Sequence, residues 1–153
     1  KIIKTNRGGK TTYHGPGQRI VYFLINLNNR KKDIRKFISL IENSLISFLA
    51  NYEIEAKSFK DRVGIWVIKS KKINLKKEKK IGAIGLRVSK WTTYHGLSFN
   101  INPDLDFYNN IHSCGLKEFK NTSLEEFGIN ITNEEFDEQF KNIFLKKISN
   151  LNV

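Results

Sequence analysis

From Arg19 to Leu27 the chain reads RIVYFLINL, a nearly unbroken apolar run rich in β-branched and aromatic residues. Such a run predicts a central strand buried on both faces. Ahead of it, Ile2–Thr5 alternates weakly and predicts a short strand, and Arg7–Gln18 is a loop of Gly and polar residues. After polar punctuation at Asn29–Asp33, the residues Ile34, Phe37, Ile38, Ile41, Leu45, Phe48 and Leu49 recur at helical spacing. They predict a long amphipathic helix over Lys32–Asn51. Ile54–Ser58 and Gly64–Ile68 read as strands, with Trp66 in the second, and Lys69–Lys80 as a solvated Lys-rich loop. Lys80–Val88 and Thr92–Ile101 predict a strand pair turning at Ser89–Trp91. Asn102–Asp106 is a turn and Ile111–Leu116 a loop. Thr122 and Ser123, followed by Glu125 and Glu126, form overlapping capping boxes for a short helix ending near Gly128. Thr132 with Glu135 starts a last helix, whose apolar face is Phe136, Phe140, Ile143, Phe144 and Ile148. The pattern is that of an α/β chain of α+β type, a mixed sheet with flanking helices in a single domain over residues 1–153.

Composition narrows the class. At 153 residues the chain has room for one core, and 39% hydrophobic and 12% aromatic residues exclude a disordered protein. No apolar run is long enough to cross a bilayer, and no secretory segment opens the chain. One Cys cannot form an internal disulfide, which fits a reducing compartment. These features predict a soluble, intracellular protein, of a bacterial cytoplasm or of an organelle. The chain begins at Lys1 and contains no Met, so an N-terminal segment is expected to precede it. The net charge of +12 arises from 27 Lys+Arg against 15 Asp+Glu. It predicts an acidic partner, or else reflects the general bias toward Lys, Asn and Ile.

Three segments combine Gly with reactive side chains: RGGKTTYHGPGQ at Arg7–Gln18, KIGAIG at Lys80–Gly85 with His95-Gly96 beyond it, and HSCG at His112–Gly115. Glycine allows a backbone to approach a ligand closely. Cys114 lies in a polar loop, and its own segment fits a catalytic or a structural cysteine. With one Cys and three His, a structural zinc site has too few ligands. Lys80 ends the Lys run but opens an apolar strand that would carry it inward, where it could act as a base or stabilise a thiolate. His14 and His95 each stand in a Tyr-His-Gly triplet, a context that suits a ligand site as well as a structural histidine. RGGKTT matches neither a P-loop nor the dinucleotide fingerprint.

Together these segments resemble the lipoyl(octanoyl) transferases. That family's signature is Arg-Gly-Gly, then Thr-aromatic-His, Gly-Gln, an aliphatic residue and Tyr; here Arg7-Gly8-Gly9, Thr12-Tyr13-His14, Gly17-Gln18, Ile20 and Tyr22. A second block appears as Lys80-Ile81, Gly85 and His95-Gly96, and a third as Cys114-Gly115, with Ser113 where the family commonly has Pro. The likeness runs from Ile2 to about Gly128. It implies the fold shared by biotin and lipoate protein ligases, and a chain lacking that family's first strand and helix. It further implies Cys114 as the acyl-thioester nucleophile with Lys80 as its acid/base partner. Arg7, Gly8, Gly9, Lys10, Thr11, Thr12, Tyr13 and His14, together with Ala83, Ile84 and Gly85 and with Gly96, Leu97 and Ser98, match the substrate-contacting stretches. The implied donor is octanoyl-acyl carrier protein. The implied acceptors are lipoyl domains of 2-oxoacid dehydrogenase complexes and of the glycine cleavage H protein. The resemblance implies no cofactor, metal, nucleic acid or membrane. Its rivals are an ATP-dependent lipoate–protein ligase of the same fold, which would not need Cys114, and a basic nucleic-acid-binding domain. The latter is suggested by charge alone and lacks a helix-turn-helix, zinc or RNP signature.

Overall fold

In the computed structural model, residues 3–8, 11–28, 30, 32–110 and 119–150 are described. Five strands and two α-helices follow in the order β1 (Gln18–Tyr22), α1 (Ile34–Ala50), β2 (Ile54–Lys57), β3 (Ile65–Ser70), β4 (Lys79–Ser89), β5 (Thr92–Asn100) and α2 (Asn133–Ser149). Asp33 caps α1 by accepting from the Lys36 N–H at 3.0 Å. The buried stripe Phe37, Leu40, Ile41, Leu45, Phe48 and Leu49 matches the helical periodicity of the sequence. Thr132 and Glu135 form a reciprocal capping box at the start of α2, with bonds of 3.1 and 2.7 Å. Phe136, Phe140, Phe144 and Ile148 form its buried face. The helix expected after Ser123 is a single 3-10 turn, Glu125–Phe127, closed by Gly128 at φ +67°. The strand expected at Ile2–Thr5 begins outside the described residues, and residues 3–5 have no regular structure.

The sheet order is β1-β5-β4-β3-β2. Every strand pair in it is antiparallel, where the sequence predicts a mixed sheet. For β2 through β5 the reason lies in the connections: these strands follow one another through links too short for a crossover, and short links permit only antiparallel pairing. The parallel component is confined to an isolated bridge between Lys80 and Asn121.

Phe99 of β5 stacks on Phe136 of α2 at 4.9 Å and meets Phe48 of α1 edge-on at 5.6 Å, so both helices cover the same face of the sheet. Side chains alternate along a strand. Gly96, Ser98 and Asn100 therefore turn to the opposite face, where Ser98 lies across from Ile20 and Gly96 across from Tyr22. This explains why RIVYFLINL is apolar on both sides without being a central strand. β1 is an edge strand, ending at Tyr22 where His95 takes φ +60° and breaks the regular register. Phe23 and Leu27 enter the helix-side core, Ile20 and Tyr22 line a cavity that Ile38 and Glu42 of α1 also reach, and Leu24 is exposed.

A candidate acyl-transfer site

The β4–β5 hairpin is the platform of the site. Its Lys90–Trp91 turn, both residues at positive φ, fixes a register that sets Ala83 against Ser98 and Gly85 against Gly96. Past the Ile65–Gly82 pair, β3 no longer accompanies β4, and the backbone of the Gly-rich segment takes that place. A Cβ built on Gly8 would lie 3.0 Å from the Leu86 carbonyl oxygen, and one on Gly85 would lie 3.0 Å from that of Gly8. The two backbones meet because neither carries a side chain there.

Between these segments opens a cavity of about 1000 Å³. Arg7, Gly8, Thr12, His14, Lys80, Ala83, Ile84, Gly85, Gly96, Leu97 and Ser98 all line it, though they come from three separate stretches of sequence. Ile20, Ile38 and Leu86 add apolar wall. Thr11 is exposed and Tyr13 stacks on Phe107 at 4.7 Å, and neither lines the cavity. Gly9, Lys10 and Cys114 lie outside the described residues, as do Ser113 and His112. Among the described residues no three His, Cys, Asp or Glu side chains converge as a metal site.

Lys80 is 7% exposed. A bulge opposite the Ile65–Trp66 step pairs Lys80 with Trp66, leaves Ile81 to fill the core, and brings the Lys80 ammonium within 5.6 Å of the Trp66 ring centroid. The backbone of Lys80 is clasped on the side away from β3. Its N–H donates to the Lys120 carbonyl at 2.9 Å, and its carbonyl accepts from the Thr122 N–H at 2.8 Å. Glu126 braces this clasp. Burial pushes its carboxyl up, but hydrogen bonds from Thr122 and Lys79 outweigh that and hold it below the usual carboxylate range.

Several functional candidates went unnoticed in the sequence. Asn100, 3% exposed, accepts from Gln18 Nε2 at 2.9 Å and from the Tyr108 hydroxyl at 3.2 Å, and donates to the Thr122 carbonyl at 2.9 Å. Gln18 also reaches Tyr108 and pairs with His14 Nδ1 at 3.2 Å. Burial drives the Tyr108 hydroxyl up to about 12, so it stays a proton donor across the working pH range. Asn100 closes the sequence HGLSFN, and its polarity amid apolar neighbours was the signal available. Arg62 lies over Phe59 at 3.9 Å and Phe119 at 4.5 Å and pairs with Glu78 at 3.2 Å. No local pattern reveals that cage, which joins residues far apart in the chain.

Glu42 of α1 also lines the cavity. Burial raises its carboxyl above the ordinary value, and a hydrogen bond with Ser58 pulls it partly back. A carboxyl whose folded-state pKa exceeds the unfolded value costs stability when ionised. That cost is full above the folded pKa and vanishes below the unfolded one. Glu42→Gln is therefore expected to raise Tm at neutral pH and to lose this advantage near pH 4, as scanning calorimetry at the two pH values would show.

The sequence model described as the lipoyl protein ligase A/B catalytic domain matches residues 1–145. The octanoyltransferase of Bartonella tribocorum is 44% identical over 149 residues, covering 95% of this chain and 61% of that protein. That of Ehrlichia chaffeensis is 43% identical over 152 residues, covering 99% and 69%. The chain thus spans about three fifths of the Bartonella relative's length. Among solved structures, the biotin protein ligase of Aquifex aeolicus, in complex with biotin and ATP, superposes with a TM-score of 0.68 at 18% identity, covering 95% of this chain and 57% of that one. The bipartite lipoate protein ligase of Thermoplasma acidophilum gives 0.61 at 14%, covering 95% and 55%. At such identities these neighbours speak for the fold alone. The chain belongs to the lipoyl protein ligase A/B catalytic domain family and, within it, to the octanoyltransferases.

Proposed function

We propose that this chain transfers an octanoyl group from octanoyl-acyl carrier protein to a lysine of a lipoyl domain, through a thioester on Cys114. The observation that carries the reading is the placement of Lys80. It is buried at the cavity wall and clasped by residues 120–122. Cys114 precedes Lys120 by six residues, a length of chain that spans at most about 21 Å.

The chemistry balances with these two groups. A free cysteine titrates at about 8.5, and an adjacent ammonium favours its thiolate. The Cys114 thiolate attacks the carbonyl of the donor thioester. The carbon–sulfur bond to the carrier breaks, and the departing sulfur leaves as a thiol with a proton from Lys80. The acyl-enzyme then faces a neutral Lys80. The acceptor amine attacks the Cys114 thioester, Lys80 takes the amine's proton, and the amide forms as the Cys114 thiolate departs. Thioester for thioester is nearly balanced, and thioester to amide runs downhill, so no ATP is consumed. Backbone N–H groups beside Gly85 suit the developing oxyanion. The apolar wall of Ile20, Ile38, Ile84 and Leu86 suits the acyl tail, each buried methylene contributing about 0.8 kcal/mol.

Carrier proteins and lipoyl domains are typically acidic, and the +12 charge steers both. Lipoyl domains of 2-oxoacid dehydrogenase complexes and the glycine cleavage H protein are the acceptors proposed, in a bacterial cytoplasm. The test is incubation with octanoyl-carrier protein without ATP, followed by intact-mass and peptide analysis. One octanoyl adduct on Cys114, discharged by apo lipoyl domain, is expected. An adduct that forms only from free octanoate and ATP would overturn the transfer reading in favour of a ligase.

A further inference from the structure

Lys80 is held at its far end as well as through its backbone. Gly64, the residue before β3, is buried and takes φ +130°, a conformation that L side chains rarely adopt. Its α-carbon lies against the tip of Lys80. A Cβ at position 64 would stand 2.5 Å from Lys80 Cε, 3.1 Å from Lys80 Nζ and 2.6 Å from the Gly82 carbonyl oxygen. The last atom belongs to β4 backbone already engaged with Ile65 and Phe99, so it cannot yield freely. The lysine tip can. On its other side lies the Trp66 ring, 5.6 Å from Nζ to the centroid. The tip thus sits in a slot with glycine on one wall and indole on the other.

We infer that Gly64 is a positioning residue for the transfer reaction: the missing side chain at 64 is what lets the Lys80 ammonium occupy its slot beside Trp66. This rests on the acyl-transfer reading proposed above. Gly64 itself takes no part in the chemistry and acts only through Lys80. A lysine has four rotatable side-chain bonds, and an unconfined ammonium would spread over many positions. Confinement between Gly64 and Trp66 fixes the charge before substrate arrives, which is worth more than the same charge on a mobile tether.

The test follows the rate of octanoyl-adduct formation against pH. In Gly64→Ala the ammonium backs away. Retreat by about 1.5 Å from a neighbour about 4 Å off, at an effective dielectric constant of about 20, weakens its hold on a thiolate on the order of sixfold. Adduct formation is expected to slow by about that factor at neutral pH, with the deficit closing above about pH 9, where the thiol ionises unaided. Gly128→Ala controls for the cost of filling any positive-φ glycine. Gly128 has φ +67° and nothing within 4 Å of its would-be Cβ, and its profile should match the wild type. A folded Gly64→Ala with a wild-type pH profile would overturn the inference while leaving the transfer reading intact. Absence of a Cys114 adduct in the wild type would instead overturn that reading. Should Gly64→Ala not fold, NMR on the wild-type chain decides. The Cε methylene of Lys80 is expected to be far more ordered than those of the exposed lysines at 71 and 76, and equal mobility would refute confinement.

Discussion

Replacing Lys80 by alanine is expected to slow octanoyl transfer about 10²–10⁴-fold, the range for losing a placed acid–base group. Replacing Cys114 by alanine is expected to abolish transfer and adduct alike. The double variant should then be no worse than Cys114→Ala alone, since groups that act as a unit lose their effect together. Lys80 is 7% exposed and lies against an indole ring at the cavity wall, unlike the exposed lysines at 71, 72, 76 and 77. Single-turnover assays of both half-reactions, with circular dichroism as the folding control, would measure the effect. Near-normal turnover in Lys80→Ala would rule out the mechanism even if Cys114 were acylated.

Phe136→Ala is expected to be the costliest change in the helix-side core. Phe136 is fully buried and meets Phe99 at 4.9 Å, Phe48 at 5.0 Å and Phe140 at 5.4 Å. It is the ring where α1, α2 and β5 converge. Removing a buried phenyl group forfeits its transfer energy and leaves a cavity, together about 3–5 kcal/mol. For a domain of this size that lowers Tm by roughly 10 °C. Urea titration should show the midpoint falling with little change in slope. Well below the new midpoint, adduct formation should persist, because Phe136 does not line the cavity. A loss under 1 kcal/mol would mean that the aromatic cluster does not hold the helices to the sheet.

The helices were legible because α1 and α2 each bury one stripe against one neighbour, and a stripe leaves a periodic trace. The β4–β5 pair was legible because both strands are long and close at Ser89–Trp91. RIVYFLINL misled about position because apolar residues lining an open cavity look the same in sequence as residues facing a second helix layer. The chemistry-bearing segments were recognisable by motif, yet the motif could not show that Gly8 lies on Gly85, or that Tyr13 turns away to Phe107. Asn100 and Gly64 stayed hidden for a related reason. Their surroundings depend on atoms from other stretches of the chain, Gln18 and Thr122 for one and Lys80 for the other.

The three hydrogen bonds of Asn100 have a further consequence. Tyr108 and Thr122, to either side of the stretch that carries Cys114, are tied to the same side chain, so the span between them begins and ends at one anchor. One change at position 100 would therefore release both flanks together, where a change at Tyr108 would release only one. Asn100 works as a keystone, and its loss should reach the Lys80 clasp, whose Thr122 it also holds.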